Sequence, residues 1–533
     1  GLPSSLAEPG PAWSERRWRG VGLALWLAAL AAVPPESWSA ERLSGDEPKY
    51  LRQADSLARD LDVDVASGSQ APPRLSDLPR NVRSLGRATA RAVADLFTDP
   101  VPDTAGHEWT AGQWTILGRH GGSYHVQSPG LPVLLFPARL LQPSLDPQRP
   151  NSLVLVTLAA LLAVAVHQAA RLGAELTGSA TSGLLAALAL GSAAPLLAAG
   201  RHVYPEIACA ALLAFVARRA VAQQMRPASL ATSALVCGAL PWLHVKFSLV
   251  ALAALGLLLW RAATRRWRAA LLGLAALPVA GLLLFDHHVT GLLRPDAFYL
   301  RAASSVYAGP GDLLGLRVPV GLVVALFGYR DGLVVMAPAA ALALVALPLA
   351  GARRRAASLA LLLIVAGLWL TTATHGGGAP GPPARLMAPA LVLLAPLLAV
   401  ALSELLERRA FRMTGVALLT AGLALSLAQH GPWQRMIDPW EGLFSSPAED
   451  FARLLPDAPP AAGQKARPPS AAFELLRGAV LALPLLALTA WLGRRAAPPG
   501  DRVALREAAA WSAAAWGGVA LVTAALQLLR GGP

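Results

Sequence analysis

The chain has 533 residues, of which 55% are hydrophobic and 15% charged, and its mean hydropathy is positive. This composition excludes an ordinary soluble globular protein, in which about a quarter of the residues are charged. The formal net charge of +14 would suit a nucleic-acid binder, but no basic segment is interleaved with stacking aromatic residues. We therefore predict an all-α polytopic membrane protein with no nucleic-acid partner.

Apolar runs near the roughly 20 residues that cross a bilayer recur along the chain, and we predict about 13 transmembrane helices. They lie near residues 20–36, 152–170, 181–199, 206–219, 228–242, 244–260, 269–286, 332–350, 356–374, 386–404, 413–430, 472–493 and 508–529. The predicted domains are an N-terminus (1–19), a transmembrane module (20–430) that includes the loop 37–151, a second loop (431–471) and the C-terminal helices (472–533).

Short basic clusters fall at alternate ends of consecutive spans, so one orientation places all of them in the cytoplasm. The clusters are Arg16/Arg17/Arg19, Arg171, Arg218/Arg219, Arg261/Arg265/Arg266/Arg268, Arg353/Arg354/Arg355, Arg408/Arg409 and Arg494/Arg495. The first apolar run lacks a small-residue cleavage site, so we interpret it as a retained span. The composition is typical of a GC-rich bacterial genome. Together these features predict a bacterial inner-membrane protein with the loops 37–151 and 431–471 in the periplasm.

The first loop begins with two adjacent carboxylates, Asp46 and Glu47, beside Pro48. Proline is tolerated in a first helical turn, and acidic groups there face the positive end of the helix dipole. The pair is either a solvated helix N-terminus or a catalytic carboxylate at the membrane surface. Later in the loop, residues 129–136 are apolar but broken by prolines, which favours an interfacial or re-entrant helix.

The same predicted outer face receives many groups capable of acid–base or phosphate chemistry. They include His120, His125, Tyr204, Glu206, His244, Lys246, Asp286, Arg330 and Arg385. A charge facing lipid at a span end is costly, so we expect these side chains to share a cavity. Arg385 follows a Gly/Pro-rich loop; its planar guanidinium suits bidentate phosphate binding, although a snorkelling arginine fits equally well.

Two sets of residues raise the question of a metal. His107, Glu108, His120 and His125 could form a zinc site, but their spacing fits no recognised pattern. Asp286, His287 and His288 could also hold a metal, yet polar residues at span ends more often meet headgroups or water. We assign no metal ligand.

A series of short motifs in chain order resembles the polyprenyl-phosphate-sugar-dependent glycosyltransferases of the GT-C superfamily. This group includes the lipid A aminoarabinose transferases and the protein mannosyltransferases. The motifs lie at Ser44 to Leu51, Ser128 to Pro132, Tyr204 to Glu206, Leu240 to His244, Tyr329 to Leu333 and Pro382 to Arg385. Where the family pattern usually has a histidine after the first acidic pair and proline, this chain has Lys49.

The resemblance implies an inverting transferase that moves a sugar from a polyprenyl phosphate to a hydroxyl of a lipid or glycan. Asp46 would be the general base, with Glu47 beside it. The resemblance implies donor-phosphate contacts from Arg385, Lys246, Lys49 and His244, and substrate contacts from Tyr204, Glu206, His125, Arg330 and Asp286. The sequence assigns no cofactor, and since some members of the family bind a divalent cation near the first-loop carboxylates, such a cation stays open here.

Two other functions fit an outer face of this kind. One is a transporter or flippase for a lipid-linked sugar, and the other is a non-catalytic assembly subunit. Transporters tend to show inverted repeats and charges near mid-span. Here the charges lie at span ends and no repeat is visible in the sequence, which favours the enzyme.

Overall fold

The computed structural model describes residues 13–31, 46–65, 75–97, 115–120, 122–142, 152–221, 226–262, 264–301, 317–327, 332–344, 352–374 and 384–405. These residues are predominantly helical, as the composition predicts. The helices are α1 (Glu15–Ala31), α2 (Glu47–Asp60), α3 (Leu78–Ala94), α4 (Gly130–Leu141), α5 (Ser152–Thr177), α6 (Ala180–Gly191), α7 (Ala194–Ala199), α8 (Pro205–Val221), α9 (Pro227–Leu243), α10 (Ser248–Arg261), α11 (Arg265–Thr290), α12 (Ala297–Arg301), α13 (Arg317–Phe327), α14 (Leu333–Met336), α15 (Ala339–Leu344), α16 (Ala352–Thr374) and α17 (Ala388–Leu405).

The chain is a multi-pass membrane protein. Among the described residues, four helical segments are long and apolar enough to cross a bilayer: Ser152–Thr177, Arg265–Thr290, Arg355–Thr374 and Arg385–Ser403. Large apolar side chains on the outer faces of α10, α11 and α16 are exposed, including Leu252, Leu277 and Leu363. Such faces are stable against lipid but not against water.

The centre of the bundle is α17, whose apolar segment is almost wholly buried. It packs against α5, α6, α8 and α15, and α5 packs in turn against α1, α6 and α8. Small residues allow these helices to approach closely. A Cβ at Gly183 of α6 would overlap the Ala170 carbonyl oxygen of α5, so this contact requires glycine.

The first loop is folded onto the bundle. Helix α2 begins with Pro48 in its first turn, as predicted, and ends at Leu61 in a left-handed conformation. In the segment 129–136, predicted as an interfacial or re-entrant helix, residues 130–136 belong to α4 and Pro129 is its N-cap. A buried ion pair joins the two helices: Arg139 Nη2 donates to Asp55 Oδ2 at 2.6 Å. This pair fixes the position of α2, which carries Asp46 at its N-terminus.

Several features differ from the predicted helices. The described residues of the span expected at 332–350 form two short helices, α14 and α15, which break at Ala337 and Pro338. The span expected at 181–199 is two helices, α6 and α7, which break at Ser192 and Ala193. A short antiparallel hairpin, β1 (Thr115–Leu117) and β2 (Ser123–His125), interrupts the first loop, with Ile116 opposite Tyr124. Helices α3, α12 and α13 were not predicted. The spans expected at 413–430, 472–493 and 508–529, and the loop 431–471, lie outside the described residues.

Candidate active site

Four chain segments meet at one end of the bundle and bring the predicted acid–base residues together. They are the starts of α2, α8 and α17, and a 3-10 turn at Val245–Phe247 between α9 and α10. Contacts from Glu47 to the loop before α8, and from Glu206 to the 3-10 turn and to Arg385, join these segments. The site is therefore built from positions up to several hundred residues apart in sequence.

Asp46 lies at the N-terminus of α2 and is the most accessible carboxylate of the group. Its side chain is 37% exposed, and Oδ1 accepts a hydrogen bond from Lys49 Nζ at 2.9 Å. The amide Nε2 of Gln127 donates to the same oxygen at 2.9 Å. Within the described part of the chain, no hydrogen bond reaches Oδ2. One oxygen is thus held in place while the other is available to accept a proton.

Glu47 is the buried neighbour of Asp46. Its Oε1 accepts from the backbone N–H of Val203 at 2.8 Å and lies 3.2 Å from Nδ1 of His202. A carboxylate that is 2% exposed and hydrogen-bonded to backbone fixes the loop before α8. Glu47 therefore positions the segment that carries Tyr204 and Glu206.

Glu206, Lys246 and Arg385 form a buried charge cluster, called here the cationic trio. Lys246 Nζ donates to Glu206 Oε1 at 2.6 Å, and Arg385 Nε lies 3.4 Å from the same oxygen. The Arg385 guanidinium also stacks over the Tyr204 ring, 4.1 Å from its centroid. Two positive charges face one negative charge, so the trio carries a net positive charge.

The guanidinium of Arg385 has unused donor capacity. Among the described residues it makes no hydrogen bond, and its contact with Glu206 is an ion pair through Nε alone. An arginine presents five N–H donors in a rigid fork that matches phosphate oxygens. The two Nη groups are therefore suited to bind an anion.

Two buried tyrosines connect Asp46 with the cationic trio. Burial raises the pKa of Tyr50 well above its usual range, and the charges of Asp46 and Glu206 raise it further, while Arg385 lowers it. Burial likewise raises the pKa of Tyr204, to which Glu47, Asp46 and Glu206 add and which Arg385 opposes. The carboxylates and Arg385 thus surround the same two phenols, which stay neutral at physiological pH.

His244 links the 3-10 turn to a separate aromatic side chain. Its Nδ1 accepts from the backbone N–H of Lys246 at 3.2 Å, and its Nε2 lies 3.0 Å from the hydroxyl of Tyr299. The imidazole caps the turn that carries Lys246. His244 therefore supports the trio rather than belonging to it.

The remaining predicted residues are not all brought to this place. His125 is buried in β2 opposite Thr115. Asp286 is 2% exposed in α11, and in the described part of the chain no hydrogen bond or ion pair joins its carboxylate to the trio. Arg330, the loop from Gly376 to Pro383, His107 and Glu108 lie outside the described residues.

Three residues of the site were not singled out in the sequence. Gln127 and His202 contact the predicted carboxylates Asp46 and Glu47, and Tyr299 contacts His244. Gln127 directly precedes the motif Ser128 to Pro132, and His202 lies two residues before the motif Tyr204 to Glu206. Proximity to those motifs was the only signal available for them.

Two of the predicted basic clusters, Arg171 and Arg218/Arg219, lie at the other end of the bundle. Arg171 of α5 pairs with Glu15 of α1 at 2.9 Å, and Arg218 of α8 pairs with Glu175 at 2.7 Å. Glu206 lies in the first turn of α8 and Arg218 in its last turn, so the 12-residue step from one to the other spans about 18 Å along the helix axis. The acid–base residues and the basic residues thus occupy opposite ends of the helices.

The structure is similar to that of ArnT from Cupriavidus metallidurans. With ArnT bound to undecaprenyl phosphate the TM-score is 0.43 at 13% identity, covering 95% of this chain and 76% of that chain. With the apo state the TM-score is 0.42 at 13% identity, covering 96% and 74%.

A second similar structure is AglB, an oligosaccharyltransferase from Archaeoglobus fulgidus in complex with an inhibitory peptide and a dolichol-phosphate. The TM-score is 0.42 at 13% identity, covering 86% of this chain. The match spans 62% of AglB, which is less than two thirds of its length. No family model and no curated protein matches the sequence. At this level of similarity, the function has to be inferred from the side chains of this chain.

Proposed function

We propose that this protein is an inverting glycosyltransferase that moves a sugar from a polyprenyl phosphate to a hydroxyl of a lipid or glycan. The observation that carries the proposal is the cationic trio, Glu206, Lys246 and Arg385, in the same site as the accessible carboxylate of Asp46. A general base and a phosphate-binding cation are the two groups that such a transfer requires. The ordered motifs in the sequence support the same function.

The reaction proceeds as one displacement at the anomeric carbon. Asp46 Oδ2 takes the proton of the acceptor hydroxyl as its oxygen forms the new bond to that carbon. The bond between the carbon and the phosphate oxygen breaks, and the electron pair leaves with the polyprenyl phosphate. Attack from the face opposite the phosphate inverts the configuration. Positioned proton transfer of this kind contributes about 10²–10⁴-fold to the rate.

The cationic trio stabilises the charge that the leaving phosphate gains. The Arg385 Nη groups bind two phosphate oxygens, and Lys246 adds a second positive charge. Glu206 holds both cations in place, so their charges need no reorganisation during the reaction. The phenols of Tyr50 and Tyr204 stay neutral, so they add no negative charge that would compete with the leaving phosphate for the cations.

Other groups have supporting roles in this proposal. Lys49 and Gln127 hold Asp46 Oδ1, which leaves Oδ2 toward the acceptor. The lipid tail of the donor lies in the bilayer beside the apolar helices, and the site faces the periplasm of a bacterial inner membrane. This orientation rests on the basic clusters at the opposite end of the bundle, which favour the cytoplasm.

The proposal is tested with purified protein and a panel of polyprenyl-phosphate sugars, with a bacterial lipid extract as the source of acceptors. Mass spectrometry follows the loss of donor and the release of free polyprenyl phosphate. We expect one donor class to be consumed with the sugar recovered on a lipid or glycan. A donor that is bound or moved across a vesicle membrane without being consumed would overturn the enzyme and favour a transporter.

A further inference from the structure

A second cluster of titratable side chains lies apart from the cationic trio, where the first loop meets the end of α11. It consists of Asp95, His120 and His288. One nitrogen from each histidine and one oxygen of the carboxylate all lie within 4.8 Å of one another. No residue of the proposed transfer reaction belongs to this cluster.

Both imidazoles converge on the same carboxylate oxygen. Nε2 of His120 lies 2.9 Å from Asp95 Oδ2, and Nδ1 of His288 lies 2.6 Å from it. The two rings face each other with centroids 4.8 Å apart. Adjacent ligand atoms in a tetrahedral zinc site are about 3.3 Å apart, given metal–ligand bonds near 2.0–2.1 Å. Small rotations of the three side chains therefore suffice to place a cation between them.

The three residues come from three rigid segments. Asp95 follows α3 in a 3-10 turn, His120 lies in the turn of the hairpin and His288 lies in the last turns of α11. The backbone N–H of Arg119 donates to the Val289 carbonyl at 2.7 Å, which fixes the hairpin on α11. A small apolar cluster that includes Ile116 and Val289 packs between the same elements. The ligands are thus positioned by backbone contacts that do not depend on a metal.

We propose that Asp95, His120 and His288 bind one divalent transition-metal cation, with Zn²⁺ as the expected ion. Two imidazoles and one carboxylate form the ligand set that zinc takes in three-ligand sites, in which water fills the fourth position. His120 is 34% exposed and Asp95 is 8% exposed, so the fourth position opens toward solvent while the carboxylate is shielded. The positive charge of the adjacent Arg119 opposes the cation, and the Asp95 carboxylate balances it.

The consequence of binding is a cross-link between the first loop and the membrane helix. Asp95 and His288 are 193 residues apart in sequence. A ligand that binds only the folded state stabilises it by mass action. The cation would therefore hold α3, the hairpin and the end of α11 together. This metal proposal does not depend on the proposed transfer reaction, because its readout is the bound metal itself.

The test uses the full chain, purified without a histidine tag, stripped with a chelator and titrated with Zn²⁺ or Co²⁺. We expect one bound ion per chain by elemental analysis, a visible Co²⁺ absorption band typical of four-coordinate sites, and a higher thermal unfolding midpoint with Zn²⁺ than with chelator. No stoichiometric ion, or an unfolding midpoint that neither Zn²⁺ nor chelator changes, would overturn the proposal.

Variants separate a metal site from a hydrogen-bonded triad. Asp95→Asn keeps an oxygen that accepts from both histidines but removes the charge. His120→Ala and His288→Ala each remove one ligand. We expect Zn²⁺ affinity to fall at least about tenfold in each, since even outer-shell changes cost 10–100-fold. His287→Ala, one residue away on the same helix, is the matched control and should retain affinity. Equal affinity in the wild type and all three ligand variants would place the ion elsewhere.

Discussion

Replacing Arg385 with glutamine tests the phosphate-binding part of the proposed function. The substitution removes the guanidinium but leaves Glu206 paired with Lys246 at 2.6 Å. The bundle therefore keeps its buried ion pair, and the net positive charge of the cationic trio is lost. We expect the variant to fold, with a modest loss from the stacking on Tyr204.

The expected loss of affinity follows from the geometry. A bidentate arginine–phosphate contact consists of two charge-assisted hydrogen bonds, each contributing about 1.5–3 kcal/mol. A glutamine at this position would restore part of one of them. Two unit charges 4 Å apart interact by about 4 kcal/mol at an effective dielectric constant of 20. The Arg385 side chain is 10% exposed, so screening by solvent is small. We expect a loss of about 3 kcal/mol, or about a hundredfold in Kd.

The assay measures binding of a polyprenyl phosphate to protein in lipid nanodiscs, with the uncharged polyprenol as the reference ligand. Arg171→Gln is the matched control, because Arg171 is also an ion-paired arginine, with a side chain 17% exposed, but lies at the opposite end of the bundle. Wild type and Arg171→Gln should bind the phosphate alike. If Arg385→Gln also matched them, or if polyprenol bound as tightly as its phosphate, Arg385 would not bind the donor phosphate.

Three further predictions concern stability. Arg139→Met leaves the buried carboxylate of Asp55 without its partner, so we expect chemical denaturation to show a loss of about 3–5 kcal/mol; an unchanged midpoint would contradict this. Gly238→Ala would place a methyl group against the Ala275 carbonyl oxygen of the facing helix α11 and should lower the thermal unfolding midpoint. Gly256→Ala, whose added methyl group meets nothing within 4 Å, should raise stability by up to about 1 kcal/mol. Equal effects of the two glycine substitutions would refute the close packing at Gly238. Burial and a neighbouring aspartate raise the pKa of Asp60 from 3.8 to about 7. The folded state therefore binds this proton more tightly than the unfolded state does. The stability that the protonated Asp60 contributes is fully present below pH 3.8 and is lost as the pH rises through 7. Asp60→Asn should flatten the pH dependence of the thermal unfolding midpoint between pH 4 and 8. A pH dependence equal to that of the wild type would exclude Asp60 as its source.

Local pattern in the sequence was sufficient for much of the fold. Apolar runs predict helices because a membrane span must satisfy its backbone hydrogen bonds internally. Pro48 beside two carboxylates predicts the start of α2, and the structure begins the helix at Glu47. By contrast, the break at Ser192 lies within an apolar run that looks continuous, and hydropathy carries no information about it.

Pairings between distant residues could not be predicted in the same way. Asp55 and Arg139 are 84 residues apart, and neither lies in a motif. On sequence alone His120 grouped with His107, Glu108 and His125 of the first loop, whereas the structure places it against Asp95 and His288. Only the three-dimensional packing of the first loop on α11 determines which histidines meet.

The most direct measurement compares the rate of sugar transfer by wild type and by Asp46→Asn under saturating donor. Asparagine keeps an oxygen that accepts from Gln127, but it cannot take the acceptor proton. We expect the rate to fall about 10²–10⁴-fold while the Kd for the donor stays unchanged. A variant that transfers sugar at a rate close to that of the wild type would contradict the assignment of Asp46 as the general base.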